Sequence, residues 1–340
     1  MIVGLSGRMQ RSPADWLGEF ERACAALGHE ARVIPIDRDG WMEAVRGLDA
    51  FVWRPSMGDA TEMAEIRTKL PLLEAMGIPC FPNARMLWLY DDKIRETFFL
   101  KLHGHPVPET FVTFSRAEAE AFLDRAAYPL VAKTHAGASA SGVVLLKDRA
   151  EACRLVAGIF KGPSLLRRAL EKYHYLPRLA KGDFLLSRKY RTLDAAPRYA
   201  YFQAYIPCDA DWRITTLGPD LVSVFVRRNR PSDFRASGSG IWEMVAPADL
   251  PSEACDLALE ISAKHGFTAM AYDYMMGPGG WVIGELSMTF VLNDVYTRTL
   301  FRRTAEGYRP EPPIPIGVMH LQALAAAREA GTALPAGPLA

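Results

Sequence analysis

The chain has 340 residues and a formal net charge of +1; 49% of its residues are hydrophobic and 23% are charged. This length suffices for two or three domains with sizeable cores, and the composition is that of an ordinary globular protein. The balanced charge gives no global reason to expect nucleic acid as a partner, and no apolar run reaches the roughly eighteen residues of a transmembrane helix.

The N-terminus predicts a first strand rather than a secretory signal, so we expect a soluble, cytoplasmic protein with no membrane partner. The five cysteines are scattered and form no CxxC pair, which favours isolated thiols in a reducing compartment over disulfides or a zinc site. His103 and His105 flank a glycine without further ligands at metal spacing, and we interpret them as loop residues.

Strands and helices alternate through the first 80 residues. Ser12 as N-cap with Pro13 at the first helical position predicts a helix that ends at Gly28. The remaining predicted elements are strands at 1–6, 32–36 and 50–53 and helices at 40–46 and 61–76. This alternation indicates a small Rossmann-like parallel sheet covered on both faces.

Three side chains follow the end of the third predicted strand, namely Trp53, Arg54 and Ser56. Parallel sheets of α/β domains gather ligands at this end of their strands, which makes these residues candidates for substrate contacts. An ordinary loop between a strand and a helix is the other interpretation, and the sequence leaves both open.

The order of elements changes after a helix predicted at 84–102, which carries Lys93 behind two aspartates. Taken alone, Lys93 would be an ordinary surface lysine. A segment rich in glycine and proline, 104–108, then leads into a second group of elements. Its predicted members are a strand at 110–114, a helix opened by a capping box at Ser115 and Glu118, strands at 129–133 and 142–146, and a helix at 149–160.

Lys133 ends a predicted buried strand and precedes a loop of small residues, 134–142. Small side chains let backbone N–H groups approach phosphate oxygens, and a lysine at the strand end adds a positive charge. The loop contains no Walker A motif, and no GxGxxG follows the first strand. By itself this segment is either a phosphate-binding loop or a hairpin turn.

A basic stretch at 161–200 contains ten lysines and arginines against three acids, with interleaved aromatic residues. It is either a solvated helical face or a docking surface for an anionic or carrier-bound substrate. Antiparallel strands are predicted beyond it at 199–206, 212–217 and 221–228, followed by a helix at 251–265. The proline-rich C-terminal segment predicts a peripheral helix and a loose tail.

Asp273 and Glu285 lie on two further predicted strands, 269–276 and 281–285, joined by a Gly-Pro-Gly-Gly turn. Each strand is otherwise apolar, so the hairpin would present both carboxylates from the surface of a sheet. Two such carboxylates predict a bound cation. The alternative is that one acid is solvated and the other caps a turn.

Several of these features together, in their order along the chain, resemble the ATP-grasp superfamily. The closest branch is that of the ribosomal-protein and coenzyme glutamate ligases, and the resemblance covers about residues 85–290. The residues that carry it are Lys93, Gly104-x-Pro106-x-Pro108-x-Thr110, Lys133 with its loop, the strand at 202–206, Asp211-x-Arg213, Asp233-Phe234-Arg235, Asp273 and Glu285.

The resemblance implies an α/β fold, with α+β character in the C-terminal part, in which a small Rossmann-like parallel domain precedes an ATP-grasp fold. It implies four segments. They are an N-terminal domain at 1–88, a smaller ATP-grasp subdomain at 89–205 that holds the basic insert 161–200, a larger subdomain with the metal site at 206–310, and a C-terminal helix and tail at 311–340.

ATP is the cofactor implied by the resemblance. Lys93 and Lys133 resemble the lysines that hold the α- and β-phosphates. The other implied ATP contacts lie in the flap over the triphosphate and in the hinge that reads the adenine edge: Gly137, Ser139, Ser141, Gly142, Gln203, Ala204, Tyr205 and Ile206. Because Ala204 stands where related ligases carry a glutamate, Asp209 or Asp211 is expected to contact the adenine or ribose.

Mg²⁺, or Mn²⁺ in its place, is also implied, with Asp273 and Glu285 as ligands that bridge it to the phosphates. The family usually has Glu-x-Asn at the second ligand position, whereas this chain has Glu285-Leu286-Ser287. The third oxygen is therefore expected from Ser287 or from Asn293, and the number of metal ions, one or two, stays open.

The implied activity is an ATP-dependent carboxylate–amine ligase that proceeds through an acylphosphate and releases ADP and phosphate. Arg213 and Arg235 resemble the catalytic cations near the γ-phosphate and the acylphosphate. The turn Gly238-Ser239-Gly240 resembles a substrate or phosphate loop. The alternatives are a phosphotransferase acting on a hydroxyl or amide, and an ATP-binding protein without turnover. The expected partners are a small-molecule carboxylate and amine, and dimers are common for this resemblance.

Overall fold

The computed structural model describes residues 1–11, 14–56, 59–137, 142–161, 198–231, 233–288 and 292–330. Its contacts divide the chain into a first unit of residues 1–108, 136–141 and 206–340 and a second unit of residues 109–135 and 142–205. Ser139, Ser141, nearly all of the basic stretch 161–200 and the tail from 331 onward lie outside the described residues. The four segments expected from the sequence stay a prediction.

The first unit begins with a parallel sheet whose described strands are β1 (Ile2–Ser6), β2 (Glu30–Ile34), β3 (Ala50–Val52) and β4 (Cys80–Phe81). Their spatial order is β2-β1-β3-β4. The connecting helices are α1 (Trp16–Ala26), α2 (Trp41–Ala44) and α3 (Ala60–Ala75). This arrangement confirms the predicted Rossmann-like sheet.

Helix α1 is capped by Asp15 and not, as predicted, by Ser12. The Asp15 carboxylate accepts a hydrogen bond of 2.9 Å from the backbone N–H of Gly18, which satisfies one of the free donors of the first turn. The helix therefore begins at Trp16. Ser12 and Pro13 lie outside the described residues.

The single helix predicted at 84–102 is wrong, because the structure has two: α4 (Ala84–Leu89) and α5 (Lys93–Leu102). Asp91 between them has a left-handed backbone with φ of 53°. Asp92 then caps α5 by accepting from the N–H groups of Ile94 (3.1 Å) and Arg95 (3.0 Å). Aspartate is one of the few residue types that suit both roles, and the break makes Lys93 the first residue of a helix.

The second unit is built on an antiparallel sheet with its own small core. Its described elements are β5 (Thr110–Thr113), α6 (Arg116–Leu123), β6 (Leu130–Lys133), β7 (Val143–Leu146), α7 (Arg149–Phe160) and β8 (Ala200–Ala204), with strand order β5-β8-β6-β7. Ser115 caps α6 as predicted, by accepting from Glu118 N. The Glu118 carboxylate does not complete the capping box, because it accepts from the Thr113 hydroxyl.

The rest of the first unit is a large antiparallel sheet with helices. Its described elements are β9 (Ala210–Leu217), β10 (Leu221–Arg228), β11 (Trp242–Met244), α8 (Ser252–His265), β12 (Ala269–Gly277), β13 (Gly280–Ser287), α9 (Asp294–Arg298), β14 (Leu300–Thr304), β15 (Gly307–Pro310) and α10 (Ile316–Glu329). The strand order is β13-β12-β9-β10-β14-β15, with β11 paired to β10. Tyr272 and Tyr274 point to the buried face, where the Tyr272 hydroxyl bonds to Ser262 of α8.

Helix α10 belongs to the core, which corrects the prediction that the C-terminal helix is peripheral. Leu321 is fully buried, and the ring of His320 lies 4.1 Å from that of Phe81 and 5.9 Å from that of Phe20, measured between centroids. A Cβ at Gly317 would lie 3.0 Å from Ala23 of α1, so glycine allows this close approach.

Among the described helices, none is long and apolar enough to cross a membrane.

We predict that His320 makes stability depend on pH. Burial, assisted by the charge of Arg54, lowers the pKa of His320 to about 3. Because the unfolded chain binds this proton near pH 6.5, the stabilisation is complete above that pH and is lost as the pH falls toward 3. Replacing His320 with leucine should reduce the loss of unfolding free energy between pH 7 and pH 5 by about 2 kcal/mol.

Urea denaturation of both proteins at the two pH values measures this difference. Burial likewise lowers the pKa of His265 to about 3 and that of His105 to about 4, so His320→Leu should retain part of the slope. An unchanged slope would contradict the assignment.

Candidate functional site

A β-bulge determines which way Glu285 points. Asp273 on β12 lies directly opposite Glu285 on β13, whereas the next residue, Tyr274, lies opposite Ile283, so Gly284 is an extra residue. In a regular strand Glu285 would share the buried face of Ile283. The bulge turns it to the face of Asp273 instead. The sequence prediction missed this feature, for which a glycine inside an apolar strand was the available signal.

The Asp273 carboxylate is buried among arginines. Arg213 lies opposite it on β9, with 2.5 Å between Nε and Oδ1 and 3.1 Å between Nη2 and Oδ2. Arg227 on β10 places Nη2 2.6 Å from Asp273 Oδ2 and donates to both oxygens of Asp211, at 2.6 and 2.8 Å. The result is a network of two acids and two arginines on one face of three neighbouring strands.

This network keeps Asp273 ionised. Burial by itself would raise the pKa of Asp273, but Arg213 and Arg227 outweigh burial and hold it below its usual range. Burial raises the pKa of Asp211, and repulsion from Asp273 adds to it against the attraction of Arg227. Burial lowers the pKa of Arg227, but the two carboxylates raise it further, so this cation is permanent. Of the two acids, Asp211 is the one that protonates more readily.

Lys93 forms the other end of the site. Its side chain is buried at the start of α5, with Nζ 3.4 Å from Glu285 Oε1 and donating to Gly137 O at 2.8 Å. Asp91 accepts from Gly137 N at 2.9 Å, so both backbone groups of this glycine are bound. Burial lowers the pKa of Lys93, but Glu285, Glu96 and Asp91 together raise it above its ordinary value. Through Glu285, the structure joins this charged lysine to the carboxylate pair.

Glu96 ties helix α5 to the carboxylate hairpin, a role that the sequence prediction missed. Its side chain is buried, and Oε2 accepts from the backbone N–H of Leu286 at 3.0 Å. Leu286 is the residue after Glu285, so the helix that carries Lys93 also holds the strand that carries its partner. The only available signal was that Glu96 follows Lys93 by three residues, on the same side of a helix.

The donor atoms at Asp273 and Glu285 suit Mg²⁺. The ionised Asp273 carboxylate has about four lone-pair sites and takes three contacts from Arg213 and Arg227 among the described residues, so one site at Oδ1 remains for a further cation. The Glu285 side chain is 34% exposed. Within the described ranges no group of three or more acid, histidine or cysteine side chains could hold a metal. Mg²⁺ commonly takes one or two carboxylates and completes its shell with phosphate oxygens and water, so the pair fits it.

The two expected sources of a third oxygen differ in their surroundings. Ser287 lies opposite Ala271, two residues beyond Glu285 and therefore on the same face of the hairpin. Asn293 caps helix α9, and its side-chain oxygen accepts from Val295 N at 2.9 Å. Ser287 is the better placed of the two.

Arg235 lies in the segment between β10 and β11 and not on the sheet face that carries Arg213. Its guanidinium donates to both oxygens of Asp233, with distances of 2.6–2.9 Å. That side-chain hydrogen bond raises the pKa of Arg235. Arg230 Nη2 donates to Gly238 O at 2.9 Å and so holds the Gly-Ser-Gly turn that was predicted to contact substrate.

Lys133 and Gly142 lie in the second unit, at the two ends of the small-residue loop. Lys133 ends β6 opposite Val143, and Thr134 N donates to Gly142 O at 2.9 Å. Gly142 has φ of +74°, and a Cβ there would lie 2.1 Å from Thr134 Oγ1, so only glycine fits. Phosphate binding by this loop stays a prediction.

The expected adenine hinge begins inside the second unit. Gln203 is buried, and its amide donates to Thr110 Oγ1 at 3.0 Å, while Ala204 N donates to Glu109 O at 2.8 Å. Tyr205 is the last residue of the second unit and Ile206 returns to the first. Of the two acids expected near the adenine or ribose, Asp211 is bound by Arg227, whereas the Asp209 side chain is 91% exposed.

No protein-family model matches the sequence, and no curated protein matches it either. Solved structures with the same fold do exist. The RimK domain protein ATP-grasp from Sphaerobacter thermophilus DSM 20745 is 19% identical with a TM-score of 0.50, over 85% of this chain and 92% of that one. D-alanine–D-alanine ligase from Bacillus anthracis complexed with ATP is 14% identical with a TM-score of 0.56, over 97% and 98%.

A third structure is that of the ATP-grasp ligase PsnB complexed with minimal precursor, Mg and ADP. It is 15% identical with a TM-score of 0.58, over 96% of this chain and 98% of that one. Likeness at this level of identity establishes the fold.

We predict that Arg227→Met destabilises the protein by about 3–5 kcal/mol, because it leaves Asp211 as a buried carboxylate without its cation. The neighbouring Arg228 is the matched control, since its side chain is 40% exposed and pairs with Glu243. Arg228→Met should cost no more than about 1 kcal/mol. Urea denaturation measures both changes, and equal losses would refute the role of Arg227.

Proposed function

We propose that this chain, which has the ATP-grasp fold, is an ATP-dependent ligase that joins a carboxylate to an amine. One observation carries the proposal. A buried lysine, Lys93, contacts Glu285, which a bulge turns toward the ionised carboxylate of Asp273. A cation beside two convergent carboxylates is the arrangement that Mg²⁺-dependent phosphoryl transfer needs, since that chemistry depends on positioning and on neutralising negative charge.

In this proposal Asp273 and Glu285 would hold Mg²⁺, and Ser287 would be available as a third ligand. When bound, the ion neutralises charge on the transferring phosphoryl group. Arg213 and Arg227 prepare this site, because they keep Asp273 in the ionised form that a metal requires. The structures that contain ATP, or Mg and ADP, on the same fold support the choice of nucleotide and metal.

Lys93 would bind phosphate oxygens of ATP from the position that it now holds between Glu285 and Gly137. Its raised pKa means that it carries its charge at neutral pH. Lys133 and the residues of the small loop, with Gly142 at its end, are proposed as further phosphate contacts. The segment from Gln203 to Ile206 is proposed to contact the adenine.

The proposed reaction has two steps. An oxygen of the substrate carboxylate attacks the γ-phosphorus, the bond to the β-phosphate oxygen breaks, and ADP leaves. The amine nitrogen then attacks the carbonyl carbon of the acylphosphate, loses a proton, and expels inorganic phosphate to leave an amide. Arg213 and Arg235 are proposed as the cations near the γ-phosphate and the acylphosphate, and Arg235 would have to exchange its present partner, Asp233, for the phosphate.

Hydroxylamine trapping tests this function. We expect the purified protein with ATP, Mg²⁺ and pools of amino acids and dipeptides to release phosphate, and hydroxylamine to convert the acylphosphate into a hydroxamate. A phosphorylated product without any hydroxamate would instead show transfer to a hydroxyl or amide. The ligase proposal fails if no carboxylate pool yields a hydroxamate.

Glu285→Gln should lower turnover by about 100-fold or more while the protein stays folded, because the amide keeps the shape of the side chain and removes its charge. Glu243→Gln is the control, since Glu243 is exposed and pairs with Arg228. It should leave turnover unchanged. Steady-state phosphate release and thermal unfolding measure the two properties, and full activity of Glu285→Gln would remove this residue from the metal site.

A further inference from the structure

Arg54 is a cation for which the described residues supply no counterion. It lies two residues beyond β3, at the carboxyl end of the parallel sheet, and its guanidinium carbon is 4.4 Å from the centroid of the Trp16 ring. The side chain is half-buried, and its buried Nε atom has no hydrogen-bond partner among the residues that the structure describes. Within the part of the chain that the structure describes, no carboxylate lies within ion-pair distance of it.

Glu62, on helix α3, binds this loop and not Arg54. Glu62 accepts from Trp53 Nε1 through one oxygen at 2.9 Å and from Ser56 N through the other at 3.0 Å. Its carboxylate therefore holds the residues on either side of Arg54 and not Arg54 itself. This arrangement fixes the loop while it leaves the guanidinium for another partner.

The other arginine at this edge of the sheet is neutralised. Arg8, two residues beyond β1, lies 3.4 Å from Asp59 and 3.5 Å from Glu65. Two arginines thus follow neighbouring parallel strands, and one of them has two acids whereas the other has none among the described residues. At this edge of the sheet, carboxylates therefore pair with Arg8, whereas the described residues place none beside Arg54.

A partly buried arginine without a neighbouring anion destabilises the folded protein when no ligand is bound. Burial lowers the pKa of Arg54, with a smaller opposing effect from Tyr90 and Glu62. Stacking on Trp16 offsets part of the cost, but a partly desolvated charge without an anion remains unfavourable. Ligands of α/β sheets bind beyond the carboxyl ends of the strands, which is where Arg54 lies.

We infer that Arg54 binds a carboxylate of the substrate, and that this carboxylate is not the one that becomes activated. A single unpaired guanidinium matches a monoanion, which favours a carboxylate over a phosphate dianion. A carboxylate held by arginine is a poor nucleophile toward ATP, so the bound group is a spectator. The substrate class is therefore an amino acid or peptide with a free α-carboxylate, or a dicarboxylate.

This inference rests on the proposed ligase function for the identity of the substrate, but its first test needs no turnover. Thermal unfolding of wild type, Arg54→Met and the control Arg46→Met is measured in acetate, acetamide, phosphate or chloride at equal ionic strength. Arg46 is an exposed arginine paired with Glu43. Relative to chloride, acetate should raise the unfolding midpoint of wild type and of Arg46→Met but should leave that of Arg54→Met unchanged. Acetamide should not raise the midpoint of any of the three proteins.

In chloride, Arg54→Met should unfold no lower than wild type, because methionine fills the same space without the charge. Three results would overturn the inference. They are an acetate effect that persists in Arg54→Met or is missing in wild type, a larger effect of phosphate than of acetate, and a marked loss of stability in Arg54→Met.

The second test uses the substrate that supports phosphate release. Arg54→Met should raise the KM for this substrate by about 10- to 100-fold. It should not change the KM for an analogue in which an amide replaces the spectator carboxylate. An equal change for both compounds contradicts the inference. If wild type releases no phosphate with any pool, the ligase proposal fails, but the acetate experiment still decides whether Arg54 binds a carboxylate.

Discussion

The first unit depends on one constraint: a carboxylate buried at Asp273 must stay ionised. A lone buried carboxylate would either take up a proton or destabilise the fold by several kcal/mol. Antiparallel pairing of β12, β9 and β10 solves this, because register places Arg213 beside Asp273 and Arg227 next to that pair. The same strands alternate, so their other face is apolar and packs against α8. One pairing pattern therefore sets both the core and the charged face.

Two irregularities complete the site on this regular sheet. The break at Asp91 and Asp92 starts a new helix at Lys93, and the bulge at Gly284 turns Glu285 toward Asp273. Each redirects a charged side chain by a local change of the backbone, and Glu96 then ties the two irregular segments together. The proposed site thus depends on deviations from regular structure that the regular parts hold in place.

Elements with strong periodicity could be predicted from the sequence. The bounds of β10 and α7 agree with their predicted ranges, because an unbroken apolar pattern and a clear cap specify them. The predictions that were wrong or incomplete concern local features of the backbone. Asp91, with its left-handed backbone, splits the predicted helix, and the extra residue Gly284 moves Glu285 to the opposite face of its strand. Arg227 was missed because its role comes from a neighbouring strand, and α10 because its partners lie near the other end of the chain. The predicted phosphate contacts Ser139 and Ser141 lie outside the described residues.

The bulge at Gly284 has a consequence for how this hairpin can vary between related proteins. Substitutions on β12 and β13 change one side chain each, and the apolar positions can exchange among residues of similar size. The loss or gain of a single residue within 280–287 would instead exchange inward and outward positions along the strand. A change in the length of this hairpin therefore disturbs the site more than an exchange of one apolar residue for another of similar size.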